Sequence, residues 1–316
     1  MQARTPGVAS KRIKKHRHIL SPMVWPTWIG IGLGWLVARM PLAMLFPLGH
    51  ALGALFFRFG GSRRRITLTN LRLCFPELDE EARTELARCV FMEVMLGVLE
   101  LAMVWLNPRR DLSGRFDLVG VEHLKAAVAE GRGVVLLGGH FAVMDAINQA
   151  LRDLGNIDVM YRANKNPAWE WLQVRGRRFY FDGVVERADM RATLRRLRAG
   201  RAIWYAADQD YGREHSVFAP FFGIQTASIT ATARLARFND SPVLMMTQHR
   251  DYEQRRWRIE FTPIMADFPR DDELAAATYV NATLEAVLRE RPDQYLWLHK
   301  RFKTRPEGEP SFYKKN

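Results

Sequence analysis

Residues 133–161 read GVVLLGGHFAVMDAINQALRDLGNIDVMY, and their pattern sets the fold class. The run GVVLLGG (133–139) is a strand buried on both faces that ends in glycines; AVMDAINQALRDLG has helical periodicity; IDVMY (157–161) is a second strand. The alternation continues downstream. A helix is expected from Pro167 to about Phe179, a short strand at 183–185, a basic helix over Met190–Arg198 and a strand over Ala202–Asp208. A helix around Ile229–Phe238, the strands PVLMMTQ and WRIEFTPI, and a last helix from about Asp272 to Arg289 complete the run. Strands separated by helices of this length predict an α/β fold, a mostly parallel sheet flanked by helices.

The same stretch carries the sharpest chemical feature. His140 follows the C-terminal end of a strand, where open α/β sheets place their sites. Asp145 comes five residues later. On one regular helix the two would lie about 140° apart. With His140 in the strand-to-helix turn and Asp145 in the first helical turn, the carboxylate can fold back onto the imidazole as an orienter onto a base. Gly138 and Gly139 would let a substrate approach the backbone and leave N–H groups free for an oxyanion. The chain has no G-x-S-x-G, H-E-x-x-H, C-x-x-C, P-loop or post-strand G-x-G-x-x-G. A histidine–carboxylate pair without a protein nucleophile points to a base that activates a substrate hydroxyl directly.

Outward from this core, charge organises the rest. The 316 residues are 48% hydrophobic and 26% charged, which excludes a disordered chain, and carry a net charge of +13. Of 47 Lys and Arg, twelve precede the first acid, Glu77, so the other 35 face all 34 acids and residues 77–316 are nearly neutral. The excess flanks an apolar region in which, from Val24 to Phe59, only Arg39 and Arg58 are charged, with basic runs at Lys11–His18 and Arg63–Arg65. Trp25, Trp28 and Trp35 suit a headgroup boundary. The region is too long, and begins too late, for a cleavable signal. Val24–Met44 is long enough for a single tilted span, but Pro41 and Pro47 and the basic flanks on both sides favour a helical hairpin or interfacial anchor with both ends cytoplasmic. Gly30, Gly32 and Gly34 read as helix packing. Asp79 is an expected N-cap, and the region up to the stop at Asn107-Pro108 reads as one long helix or two. Three regions result: a basic, apolar anchor (1–65), a helical connector (66–110) and an α/β catalytic domain (111–316). Cys74 and Cys89 read as reduced and structural.

The segments GGHFAVMDA, YRANKNPAWEWLQVRGRRFYF (161–181), AADQDYGREHSVFAPFFGIQTASITATARLA (206–236) and QYLWLHKRFKTRPEGEPSFY (294–313) together resemble the late acyltransferases of lipid A biosynthesis, within the glycerolipid acyltransferase superfamily. SPMVWPTWIG and TNLRLCFPEL extend the resemblance to the N-terminal region. It implies a glycerolipid acyltransferase-like fold at the cytoplasmic face of a Gram-negative inner membrane, among anionic lipids. It also implies transfer of an acyl chain from acyl carrier protein to a hydroxyl on an acyl chain of a lipid A precursor. His140 would be the base and Asp145 its orienter. Arg177 and Asp208 would be functional, and Arg162, Asn164 and Gln209, with Gly138 and Gly139, would bind substrate. A thioester donor is already activated, so the reaction requires no metal or cofactor.

Other features keep two readings. Arg195, Arg196, Arg198 and Arg201, and likewise His299, Lys300, Arg301, Lys303 and Arg305, are either solvated faces or docking sites for acidic carrier protein or lipid phosphate. Phe218, Phe221 and Phe222 are either an acyl groove or core. The same chemistry on a lysophospholipid, glycolipid or ornithine-type lipid is the alternative enzyme. A basic membrane- or nucleic-acid-binding module is the non-enzymatic one, and the neutral body argues against nucleic acid.

Overall fold

The computed structural model describes residues 19–313; the basic run Lys11–His18 lies outside them. A seven-stranded sheet runs in the order β1-β9-β8-β2-β5-β3-β4, with β1 Phe116–Val119, β2 Val134–Gly138, β3 Ile157–Tyr161, β4 Val184–Glu186, β5 Ala202–Ala206, β8 Val243–Asp251 and β9 Arg256–Phe261. Neighbours are parallel except the β8–β9 pair. A separate antiparallel hairpin joins β6 (Ser216–Phe221) to β7 (Ile224–Ile229). The mostly parallel α/β expectation is met.

Alternation along β2 shows why its apolar run is continuous. Val135 and Leu137 enter one buried cluster with Leu197, Ala233 and Leu284, while Val134 and Leu136 enter another with Trp105, Leu124 and Leu151. Side chains leave a strand on alternate faces, so a strand covered on both sides has no polar positions. Helices α8 (Met190–Arg198), α9 (Ala231–Phe238) and α10 (Glu273–Glu290) supply the first layer. Helices α5 (Val121–Ala129), α6 (Asn148–Leu154) and α7 (Pro167–Arg178) supply the second.

The N-terminal region is a helical hairpin. Helix α1 (Trp25–Val37) turns at Ala38–Pro41 into α2 (Leu42–Phe59), followed by α3 (Gly61–Cys74) and α4 (Glu80–Leu106). A continuous span over Val24–Met44 is not formed: α1 has 13 residues, about 20 Å of helix against about 30 Å of hydrocarbon. The turn is tied down, since the Arg110 guanidinium donates to Met40 O at 2.7 Å, and Arg39 folds back over the Trp35 ring at 3.4 Å. Helices α2 and α4 are each long and apolar enough to cross a membrane by length and composition. No residue of α1 is buried, and Trp25, Ile29, Leu33 and Leu36 are each about 60% exposed or more. Trp28 instead faces protein, its ring tilted against Trp171 with centroids 5.4 Å apart.

The packing glycines are not those expected. Gly30 and Gly32 face open space, and only Gly34 touches a neighbour, Leu106 of α4. Close approach occurs at Gly49 and Gly53, one turn apart on α2, where any side chain would overlap the backbone of Leu96 and Met92 on α4. Asp79 caps α4 as expected, accepting from Ala82 N at 2.8 Å.

Helix α4 also reaches into the sheet domain. Arg250 of β8 is fully buried and donates to Glu100 at 2.6 and 2.8 Å and to Glu93, while Trp257 donates to Glu100 at 2.9 Å and Tyr252 to Glu93. Two carboxylates in the apolar second half of this helix thus find their cation on a strand about 150 residues later.

Candidate active site

In the parallel β2–β5 pair Gly138 stands opposite Ala206. Two residues further on, each strand delivers a functional side chain at the same level: His140 from β2 and Asp208 from β5. Asp208 accepts from His140 twice, from the ring Nδ1 at 2.6 Å and the backbone N–H at 2.8 Å, and from the Tyr295 hydroxyl at 2.7 Å. Its side chain is 1% exposed. Burial alone would raise its carboxyl, but the adjacent His140 and these donors outweigh it and hold the group well below the usual carboxylate range. Asp208 is therefore an anion, and the His140 ring presents Nδ1–H to it and an acceptor Nε2 to the other side. The Gln209 amide nitrogen lies 2.8 Å from that Nε2 and 3.1 Å from Nε2 of His299.

Asp145 takes a different place from the one its spacing suggested. Residues 141–147 do not form the first turns of a helix; α6 begins only at Asn148. The loop is pulled into extended contact with the C-terminal segment, where Ala142 N donates to Gln294 O at 2.7 Å and Leu296 N to His140 O at 2.9 Å. Asp145 consequently faces away from the imidazole. It accepts from Arg177 Nε at 3.1 Å and Nη2 at 3.3 Å, from Trp105 Nε1 at 3.2 Å and from Asn148 at 3.1 Å. The ion pair decides the geometry: a carboxylate only 4% exposed needs a cation, and the guanidinium of α7 provides it. His140 is oriented by Asp208, and Asp145 with Arg177 fixes the loop between α4 and α7. Gly176 permits this packing, since a side chain there would overlap Trp105.

Gly138 and Gly139 are both buried, not open to a substrate. The space a side chain would need is filled by the Trp204 indole at Gly138 and by Phe141 and Leu284 at Gly139. Arg162 and Asn164 lie in the loop after β3. Asn164 lines a separate cavity of about 660 Å³ with Ser21, Met23 and Lys165, next to the exposed start of the hairpin. Of the expected residues, His140, Asp208 and Gln209 meet in one cluster, Asp145 and Arg177 in a second beside it, and Arg162 and Asn164 in a third place.

The basic clusters resolve into structural roles where partners are seen. Arg196 and Arg201 pair with buried Asp158 at 3.0 and 2.7 Å, toward the end of the strands away from His140. Arg301 and Arg305 are buried and donate to Ala227 O at 2.9 Å and Gln225 O at 2.6 Å, stapling the C-terminal segment to the β6–β7 hairpin. Phe221 and Phe222 are core, packed with Phe302 and Trp297. Cys74 and Cys89 are free thiols.

Sequence reasoning did not single out Tyr295 or Asn70. Asn70 of α3 donates to Trp297 O and His299 O, both at 2.7 Å, and with Arg63 donating to Leu298 O at 3.0 Å it fixes the loop bearing His299. Nothing local announces such a role for a lone asparagine. The Glu93/Glu100 pair did leave a signal, two carboxylates seven residues apart in the otherwise apolar second half of α4.

A histidine–carboxylate pair at the C-terminal edge of a largely parallel sheet is the arrangement of an α/β enzyme site. The family model described as bacterial lipid A biosynthesis acyltransferase matches residues 12–304. The chain is 36% identical over 299 residues to the lipid A biosynthesis lauroyltransferase of Escherichia coli K12, covering 93% of this chain and 97% of that one. It is 36% identical over 301 residues to the palmitoleoyltransferase of the same organism (95% and 98% covered) and 28% identical over 304 residues to its myristoyltransferase (96% and 93%). The chain belongs to the bacterial lipid A biosynthesis acyltransferase family, and it is an acyltransferase.

Proposed function

We propose that the protein transfers a fatty acyl chain from an acyl carrier protein thioester to a hydroxyl on an acyl chain of a lipid A precursor, with His140 as general base and Asp208 as its orienter. The observation that carries this reading is the bond from His140 Nδ1 to buried, ionised Asp208 at 2.6 Å, which leaves Nε2 as the proton acceptor. The acceptor hydroxyl gives its proton to Nε2 as its oxygen attacks the thioester carbonyl. The tetrahedral intermediate collapses with loss of thiolate, and the imidazolium returns the proton to sulfur. Asp208 stabilises the imidazolium in between.

Arg162 and Asn164, in the loop after β3, would bind the polar part of the acceptor; the cavity that Asn164 lines with Ser21 and Met23 supports this for Asn164. The names of the relatives support a lipid A-type acceptor. The exposed apolar residues of α1 and the acid-free N-terminal region support attachment to an anionic inner membrane with the site on the cytoplasmic side.

The test is transfer by the purified full chain in phospholipid vesicles, supplied with a lipid A precursor and a panel of acyl carrier protein and coenzyme A thioesters. The expected product is the precursor heavier by one acyl group, formed fastest from a carrier-protein donor. Acylation of a lysophospholipid or glycolipid with the lipid A precursor left untouched would overturn the acceptor assignment.

A further inference from the structure

The lone pair that the proposed reaction needs is already engaged. A carboxamide nitrogen donates two hydrogen bonds and accepts none. The Gln209 nitrogen lies 2.8 Å from His140 Nε2 and 3.1 Å from His299 Nε2, so both ring nitrogens accept and both rings carry their proton on Nδ1. For His140 this is the tautomer that Asp208 independently imposes.

The acceptor hydroxyl reaches the single Nε2 lone pair only by displacing the amide, and once Nε2 holds the proton it is a donor facing a donor and the amide stays away. His299 is built to stay an acceptor at that moment. Burial, reinforced by the neighbouring His140, pushes its imidazole down to about 4, so it remains neutral at physiological pH. Asn70 of α3 holds its backbone carbonyl and Arg63 that of the preceding Leu298, and its ring stands edge-on to His140 at 5.6 Å. The amide therefore keeps one N–H on His299 while the other is freed.

The freed N–H lies beside Nε2. The attacked carbonyl must be there too, because the oxygen that gave up its proton is now bonded to that carbon. Nearby backbone offers less: the His140 N–H is committed to Asp208, and the two preceding glycines are buried in packing.

We propose that Gln209 is the oxyanion donor of the transfer reaction and that His299 is its positioning residue, holding one amide N–H while the incoming acceptor hydroxyl displaces the other from His140 and the protonated ring keeps it displaced. This rests on His140 being the base. In the balanced step the acceptor O–H bond breaks toward Nε2 and the oxygen–carbon bond forms, and the carbonyl electron pair moves onto oxygen, where the freed amide N–H meets it. On collapse the C–S bond breaks, its electron pair leaves on sulfur, and the Nε2 proton follows. The amide then caps Nε2 again.

The experiment measures kcat and KM of the full chain with acyl carrier protein thioester and lipid A precursor, alongside unfolding midpoints. Gln209→Leu is expected to lower kcat by about 10²–10³ with little change in KM, the range for loss of one oxyanion donor. Gln209→Glu, nearly isosteric but placing a negative charge there, should lose as much. His299→Leu should lose part of this, and the double variant should be no worse than Gln209→Leu alone, since His299 acts through the amide. His299→Asn, whose Oδ1 can still accept, should recover most of the His299→Leu loss. Folded Gln209 variants with near wild-type kcat, or losses that multiply in the double variant, would overturn the proposal. His140→Ala in parallel separates the two readings. An inactive His140→Ala beside an active Gln209→Leu refutes only the oxyanion role, whereas an active His140→Ala refutes the base.

Discussion

Asp208 keeps its charge in a place where water scarcely reaches because three donors converge on it, two of them from His140 itself. That arrangement fixes the ring from two directions, backbone and side chain, more tightly than one bond would. With His140 as base, His140→Ala is expected to cost at least about 100-fold in kcat, read in the transfer assay, with an unfolding midpoint near that of the parent. The position of His140 at the end of a buried strand was legible in the sequence, because the apolar run and its glycines mark where the strand stops. Its partner was not. Local spacing nominated Asp145, five residues away, whereas the true neighbour stands 68 residues away and is selected by the register of two parallel strands. A register between strands separated by two other strands leaves no mark in either local segment.

At the scale of elements, α4 is what joins the apolar hairpin to the sheet. It meets α2 across Gly49 and Gly53, lies against the loop after His140 at Gly97, and closes on β8 through the buried Arg250 ion pairs. A side chain at Gly97 would overlap the carbonyl oxygen of Ala142, two residues from His140. Gly97→Ala is therefore expected to destabilise the fold by about 1–3 kcal/mol, the usual cost of overpacking, and to depress activity through the displaced loop; denaturant unfolding and kcat together check this. Most helices and strands could be read from their periodicity, including the cap at Asp79 and the ends of α7, α8 and β3. The exception is residues 141–147, which have helical periodicity but are drawn into contact with Gln294 and Leu296, so that tertiary partners overrode local preference. The break after α1 falls at Pro41 as expected, and Arg110 and Asn107, far along the chain, capture the turn carbonyls.

For the whole molecule, pH couples the site to stability. In the unfolded chain His299 would take up a proton near 6.5, but in the fold it does so only near 4. As pH falls through that interval the unfolded state binds the extra proton first, so stability drops, by up to about 3 kcal/mol for this one group. His249, also held low by burial, adds in the same sense. Asp208 acts in the next window: its contribution is whole above the ordinary carboxylate range and fades as pH falls below it. Unfolding midpoints are thus expected to fall steadily from pH 7 to pH 4, and His299→Leu should flatten the upper part of that slope. The asymmetry of charge has its own consequence. With twelve basic and no acidic residues before Glu77, binding to anionic vesicles should weaken as salt rises, while residual attachment through the exposed apolar face persists. Flotation at low and high salt reads both components.

The pairing of His140 with Asp208 is tested most directly by comparing kcat for Asp208→Asn and Asp145→Asn in folded protein. An amide at 208 presents a donor to Nδ1 and shifts the ring proton onto Nε2, removing the base; the expected loss is about 10³–10⁴. Asp145→Asn, which weakens only the loop's ion pair with Arg177, should lose far less. The reverse order, with Asp145→Asn the more damaging and Asp208→Asn nearly active, would contradict the assignment.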